Sequence, residues 1–540
     1  MTSASDKPSW IRRGLLCFLG LAVLAGCGPK NYKQDADERV YTIIDRKWED
    51  SFGTKANYRV SDVAPAADDI RIDKTIPDSG VLTLPRAVTI ATAHNRDYQS
   101  QKELLYAAAL DLRLVRHDFE NRLFGGGSAL YSGNGTDEAI GLEANVGFNR
   151  LLAAGTQIAA RVTTAWTRVL LGSGDSGFSS VFAAAAAQPL LRGSERAIVL
   201  ERLTQAERDT LYQIRTFNRF RKTFAVAVIT QYYRALELQD LAQNAADYLE
   251  ALRALHGQVT TLSSAGRVPL LEVDRLRQEM LQARETLILA QKAYDRFLDQ
   301  FKITLGLPTT VEFQLDTAVF EAWVGNGIPE SDIVIDEAIE TALHRRLEMA
   351  NRADAVLDAQ RVVHVAADGL RAGLGLDGEL EISTDGQARG TAGAVLDLPL
   401  DRVAEQNVYR KALISLERRR REYDLATDTV RLEVRAAHRR LQETAERYAV
   451  LTEGRELAKE RLEKTTALMQ YGRASSRRVL VAHQDLYAAE DAATEALTNH
   501  AIAMLDFHRD TGVLQVRPDG MWEKAPDAIR LTRGTAARLR

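Results

Sequence analysis

GRVPLLEVDRLRQEMLQARETL, residues 266–287, and GRASSRRVLVAHQDLYAAEDAA, residues 472–493, are two versions of one sequence. They align without a gap at a shift of 206 (472 − 266), pairing Arg267 with Arg473, Val273 with Val479, Gln278 with Gln484 and Glu279 with Asp485. The register persists through Ala283/Ala489, Ala290/Ala496, Phe301/Phe507 and Gly306/Gly512. Such a match marks an internal duplication, and a duplication decides the architecture before any single element is assigned.

Working outward, Leu84, Ala87, Val88 and Ala91 answer Ile335, Ala338, Ile339 and Ala342 at a shift of 251, and Pro189 of QPLLRG answers Pro399 of DLPLDR at a shift of 210. Each half therefore reads as helix, irregular segment, Pro-Leu, very long helix, Gly-Arg turn and return helix. The shift falls from 251 to 210 across the irregular segment, which is longer in the first half by that difference. About 40 residues suffice for one additional hairpin.

From Ser194 to Leu262 the only helix breaker is Gly257, and an unbroken helix of that length would reach about 100 Å at about 1.5 Å per residue. Leu238, Leu241, Ala245, Tyr248, Leu252, Leu255, Val259 and Leu262 are spaced alternately by three and four, a coiled-coil seam. Val273, Leu276, Met280, Ala283, Leu287, Ala290, Tyr294, Phe297 and Phe301 repeat the spacing on the return, so the two helices form an antiparallel hairpin. In the second half the seam is Val479, Ala482, Leu486, Ala489, Ala493, Ala496, His500, Ala503 and Phe507. Its smaller side chains allow closer helix approach. A lone seam histidine such as His500 reads as a packed residue rather than a metal ligand. The basic run Arg418–Arg421 reads as a solvated helix face.

Between the helices of the first half, Leu142, Ala144, Val146 and Phe148 alternate with Glu143, Asn145, Gly147 and Asn149, and the period of two is that of a strand. After LAAGT the alternation resumes with Ile158, Ala160, Val162, Thr164 and Trp166, and after LGSGDSG a strand is expected over 178–187. A further strand is expected near 128–132. In the second half, 374–383 and 391–400 flank the turn TDGQARG. Four to six strands are too few for the smallest transmembrane barrel, and an open edge in lipid leaves backbone groups unsatisfied. A sheet of this kind enters a membrane only if other copies complete it. A small soluble sheet capping a coiled coil would show the same alternation, which would make the chain a periplasmic coiled-coil lipoprotein with a structural or adaptor role and no conduction.

Composition narrows the classes further. Hydrophobic content of 45% and charged content of 27% are globular values. The formal charge is −4, of which residues 1–26 carry three basic groups and one acidic, so the remainder is more acidic still and nucleic acid is not an expected partner. No nucleophile elbow, phosphate loop or Cys/His ligand pattern appears, which speaks against an enzyme. At the N-terminus, Lys7, Arg12 and Arg13 precede an apolar run from Gly14 to Gly26, the layout of a secretory signal and too short to span a bilayer. The ending Leu24-Ala25-Gly26-Cys27 is similar to a bacterial lipobox, which implies cleavage before Cys27 and a covalent lipid on it. Cys17 would leave with the signal, so neither a disulfide nor a cysteine metal site is expected.

Taken in order and duplicated, LTLPRAVTIATAHN from Leu82, AQPLLRG from Ala187, SAGRVPLLEVDRL from Ser264, LGLP from Leu305 and YGRASSRRVL from Tyr471 resemble the TolC family of outer-membrane efflux ducts over residues 80–515. The resemblance implies a mainly α fold with membrane β-strands: long antiparallel coiled-coil helices, twice repeated, and strands forming part of a trimeric β-barrel above an α-helical tunnel. It implies no enzyme activity, no cofactor beyond the lipid, a homotrimer in the outer membrane of a Gram-negative bacterium, and a periplasmic adaptor and inner-membrane transporter as partners in tripartite efflux or type I secretion. The family's adaptor-contacting turns match Gly266, Arg267 and Val268, then Gly472, Arg473, Ala474 and Ser475. Aperture candidates are Glu272, Asp274, Arg478 and Asp485. Arg478 and Val481 stand where some members carry acidic residues, and Glu272 is expected to pair with Arg478. The expected organisation is a signal peptide (1–26), an irregular extension (27–80), a first repeat (81–308, strands about 126–189), a linker (309–334), a second repeat (335–515, strands about 374–400) and a disordered tail (516–540).

Overall fold

A computed structural model describes residues 29–49, 52, 55, 57–60, 80–134, 136–171, 175–318, 334–517 and 522–524. The expected signal peptide and Cys27 lie outside the described residues, as does all of 61–79. The chain divides into two units. One comprises residues 1–49, 104–214 and 357–417, and the other residues 50–103, 215–356 and 418–540.

In chain order the elements are α1 (Pro29–Lys47), β1 (Val81–Leu82), α2 (Leu84–His94), α3 (Arg96–His117), β2 (Arg122–Gly133), β3 (Glu138–Leu151), β4 (Gln157–Leu171), β5 (Gly177–Pro189), α4 (Arg196–Val199), α5 (Glu201–Ser264), α6 (Leu270–Leu305), β6 (Gln314–Leu315), α7 (Ile335–Arg345), α8 (Leu347–Asp368), β7 (Gly373–Ser383), β8 (Ala388–Asp397), α9 (Val403–Gln470), α10 (Ser476–Asp510), β9 (Leu514–Val516) and β10 (Trp522–Lys524). The duplication is plain. Helix pair, strands, long helix and return helix occur twice, and Gly257 does not interrupt the 64 residues of α5. The extra length of the first half is an extra pair of strands, four against two.

The first unit holds a six-stranded sheet in the order β2-β3-β4-β5-β7-β8, every neighbour antiparallel. It also holds α1, which corrects the expectation of an irregular extension over 27–80. Val40, Ile43 and Ile44 are buried, and their three-and-four spacing makes one apolar helix face that the surrounding charges disguised. Arg113 bonds Asp35 at 2.7 Å and Tyr106 donates to Asp37 at 2.5 Å, tying α1 to α3.

In the second unit, Tyr98 is buried among Phe217, Phe220 and Phe224. Tyr232 donates to the Leu82 carbonyl at 2.9 Å and accepts from the Asp316 amide at 3.0 Å, fastening the parallel pair β1–β6. Gly306 ends α6 at φ +76°, and a Cβ there would come within 2.5 Å of the His94 carbonyl, so both backbone angle and close approach require glycine. The tail expected to be disordered from 516 begins instead with a strand pair, β9 with β10, because the backbone of 514–516 finds a ladder partner in 522–524.

Candidate functional site: a two-faced sheet and paired helical tips

Directly opposed residues of an antiparallel ladder share a face, so the registers sort the whole sheet. One face collects Leu123 on β2, then Ile140, Leu142, Ala144, Val146 and Phe148 on β3, with Ile158, Ala160, Val162 and Trp166 on β4. It continues through Phe178, Phe182 and Ala184 on β5, Leu374, Leu376, Leu380 and Ile382 on β7, and Ala392, Ala394 and Leu396 on β8. Many of these large side chains stand open, Leu123 at 82% and Phe178 at 63%. The two hydroxyls in the middle of this face, Thr164 and Ser180, bond each other at 3.1 Å. The opposite face carries Glu143, Asn145, Asn149, Arg161, Thr163, Asp377, Glu379, Glu381 and Arg389, with Phe124, Leu130, Leu151, Val169, Val181 and Val395 among its large apolar exceptions.

Along the apolar face, Arg150 (opposite Ile158) and Arg168 bracket the hydrocarbon stretch of β4. The ten residue steps from one row to the other cover about 33 Å at about 3.3 Å each. Tyr131, Trp166 and Phe178 lie in neighbouring rows near the Arg168 end. The sheet is also slanted. Arg122, at the start of β2, is level with Asn149, Ala159, Ala185, Glu379 and Thr391, whereas β8 runs on to Asp397 at that same end. Six residues of stagger over five strand gaps is a slope of about 40°, inside the range of about 35–45° at which strands cross closed barrels. At that slope the apolar band is about 25 Å tall, the height of the lipid-facing belt of outer-membrane barrels. No described helix is long and apolar enough to span a bilayer.

The tip turns lie in the second unit and have one geometry. Gly266 (φ +71°) and Gly472 (φ +70°) adopt the left-handed conformation. The Arg267 amide donates to the Leu262 carbonyl at 2.9 Å and the Arg473 amide to Leu468 at 2.8 Å, the Schellman closure of a helix end. It is the arginine backbone that caps; both guanidinium side chains are exposed. Val268 and Ala474 are half-buried against a core built from both hairpins, with Leu252, Leu255 and Val259 of α5, Val273 and Leu276 of α6, Met469 of α9, and Val479 and Leu480 of α10. Ser475 is exposed at the N-cap of α10.

The expected Glu272–Arg478 pair does not form within the chain. Glu272 accepts from the Ser476 hydroxyl at 3.3 Å and faces Arg275 at 3.7 Å, while Arg478 is exposed. Helical phase explains it: Val479 and Leu480 next to Arg478 fill the core, which turns Arg478 away from α6. Asp274 is exposed, and Asp485 bonds Arg461 of α9 at 2.6 Å. The polar tie between the hairpins lies deeper. Glu279 accepts from Gln484 at 2.6 Å and from the Tyr248 hydroxyl at 3.1 Å. Tyr248 stacks on Tyr487 at 4.9 Å between centroids. Burial, then the charge of Glu279, pushes the Tyr248 phenol up; burial and the neighbouring Asp491 push Tyr487 up to about 12. The sequence named Glu279 and Gln484 only as repeat matches; their offset of 205, one short of the repeat, was the available hint of a contact across it.

His500 is buried and its Nδ1 lies 3.1 Å from the Thr444 hydroxyl. It is a packed seam residue, and no group of three or more metal-ligating side chains occurs among the described residues.

No protein-family model and no curated protein matches this sequence. Solved structures do. The outer-membrane channel OprN superposes with a TM-score of 0.59 at 16% identity, covering 86% of this chain and 99% of that one. CusC, described as undergoing transmembrane channel formation, gives 0.59 at 15% identity over 79% of this chain and 92% of its own. The Neisseria gonorrhoeae outer-membrane channel MtrE gives 0.56 at 13% identity, covering 79% and 88%. Two-faced sheet, duplicated hairpins and superposition together identify the chain as having the TolC-type fold of outer-membrane channel proteins.

Proposed function

We propose that this protein is the outer-membrane exit duct of a tripartite efflux or type I secretion system, a homotrimer anchored by lipid on Cys27. The single observation that carries the reading is the sheet: one apolar face about 25 Å tall, one polar face, and two edges, β2 and β8, that no described strand of the chain covers. In lipid such edges leave every outward N–H and C=O without water, at several kcal/mol each. Copies of the same chain relieve that cost by continuing the sheet around a water-filled lumen lined by the polar face.

The helices support the same assembly. Leu281 and Leu289 of α6 are 63% and 61% exposed, and α9 exposes Leu425, Leu432, Val450 and Leu457. The α9 positions, separated by 7, 18 and 7, return to one helix face, since eighteen residues make about five turns. An apolar stripe of that length on a free surface marks a partner surface, here a second copy. The exposed Arg267 and Arg473 at the tips are then placed to meet a periplasmic adaptor. The chain does no chemistry of its own in this reading, and the inner-membrane transporter supplies the energy.

Detergent-solubilised protein should run as a trimer that dissociates on heating and should conduct ions in a planar bilayer. A monomer that stays in water once its acyl group is removed, and that conducts nothing, would favour a periplasmic coiled-coil lipoprotein instead.

A further inference from the structure

We infer that three copies close a barrel of eighteen strands, six from each, with β8 of one copy lying antiparallel to β2 of the next in the register that sets Leu123 opposite Leu396. The inference rests on the trimeric duct reading and adds the strand number, the joint and the bore.

The face rule limits the joint first. Leu123 belongs to the apolar face and so do Ala392, Ala394 and Leu396, so only registers whose residue numbers sum to an odd value keep lipid-facing side chains together. The helix-side ends select among these. Arg122 and Asp397 both terminate their strands there, and setting them opposite each other fixes the sum at 519. Three consequences agree. Arg122 meets Asp397, opposite charges on the polar face, alongside their intrachain partners Asp118 at 3.2 Å and Arg192 at 2.7 Å. Phe124 meets Val395, so two of the apolar exceptions of the polar face, 41% and 63% exposed, cover each other. Leu123 meets Leu396 on the lipid side.

Closure then follows without distortion. The stagger of six residues within a copy, with none added at the joint, gives a shear of one residue per strand and a tilt of about 35°. Eighteen strands at about 4.8 Å spacing make a wall about 33 Å across, whereas two hairpins per copy would give twelve strands and about 22 Å. On β5 the lumen side carries Ser179, Val181, Ala183, Ala185 and Ala187, mostly small side chains, and glycines Gly126, Gly141 and Gly147 face it from β2 and β3. The barrel wall therefore leaves room for an α-helix about 10–12 Å across. Bulky cargo, including polypeptide, fits the exit, and selection by size belongs elsewhere in the duct.

Cysteine pairs test the joint in the full-length protein in outer-membrane vesicles. Gly127→Cys with Ala392→Cys sums to 519 on one face, and opposed Cα atoms about 4.5–5.5 Å apart suit a disulfide. Oxidation should convert most of the double variant to covalent dimers and trimers, with each single variant and the opposite-face pair Gly127→Cys with Thr391→Cys remaining uncoupled. Particle images of the wild-type trimer should show the wider, eighteen-strand wall. A conducting trimer whose same-face cysteines never couple, or whose wall has the narrower, twelve-strand diameter, overturns the eighteen-stranded barrel and leaves the duct standing. A protein that neither trimerises nor conducts removes both.

Discussion

The return helices α6 and α10 descend from one sequence and now live in different surroundings. Six residues of α6 are buried against fourteen of α10, although the helices differ in length by one residue. On α6, Leu270, Leu271, Leu281, Leu289 and Ile303 are more than half exposed; on α10 the large exposed apolar side chain is Val481. The difference lies in side-chain size and cover. Alanines at 482, 493, 496, 501 and 503 let neighbouring helices close over α10, whereas α6 keeps large leucines on a side that the chain itself leaves uncovered. One copy of the repeat became interior packing, and the other kept a row of large apolar side chains exposed.

The comparison breaks down at one end, and that is where substitution should cost most. Phe301 and Phe507 are equivalent and both buried. Phe301→Ala and Phe507→Ala should each lose about 3–5 kcal/mol of unfolding free energy in urea titration; a large inequality would mean that the helices differ along their whole length. At the equivalent seam positions Leu276 and Ala482 the asymmetry should appear. Ala482→Leu, at a fully buried site, should cost about 1–3 kcal/mol by overpacking, and a neutral result would show slack that the packing does not suggest.

The tip turns should respond alike. Gly266→Ala and Gly472→Ala each force a Cβ into the left-handed region with open space around it, so each should cost about 1–2 kcal/mol from the backbone alone. Leu281→Ser with Leu289→Ser should leave the urea midpoint of the monomer almost unchanged, within about 0.5 kcal/mol per site, while reducing the trimer fraction in analytical ultracentrifugation. An unaffected trimer would locate the contact between copies elsewhere.

The smallest effect is in the pH response of α10. Burial raises the Asp491 carboxyl above its ordinary value, and the charge of Asp240 adds to that against the opposing bonds from Asn244 and Tyr487. A carboxyl raised in the folded state binds its proton more tightly there than in the unfolded chain. Its contribution is therefore complete below the ordinary aspartate value of about 3.9 and fades as pH rises through the raised one. Asp491→Asn should flatten the decline in urea midpoint as pH rises above the ordinary aspartate value of about 3.9; a steeper decline would reverse the sign assigned here.

The seams were legible residue by residue because their periodicity survives in one dimension: Leu252, Leu255 and Val259 are buried as their spacing required. The extra strand pair was legible from a difference of two repeat offsets. The helix α1 was not, since three apolar residues among charges give a weak pattern, and neither was the exposure of Arg478, which depends on which neighbours win the core.

Sequence alone determined the duplicated hairpins, the reversal points at Gly266 and Gly472, and the alternation of the strands, because each is a local consequence of side-chain spacing or backbone angle. Tertiary structure decided that six strands join in one slanted sheet with its edges open, that Glu279 rather than Glu272 ties the hairpins, and that α6 faces outward. Register, slope and burial are relations between segments far apart in the chain, and pairing energy between them becomes readable only when both partners are in place.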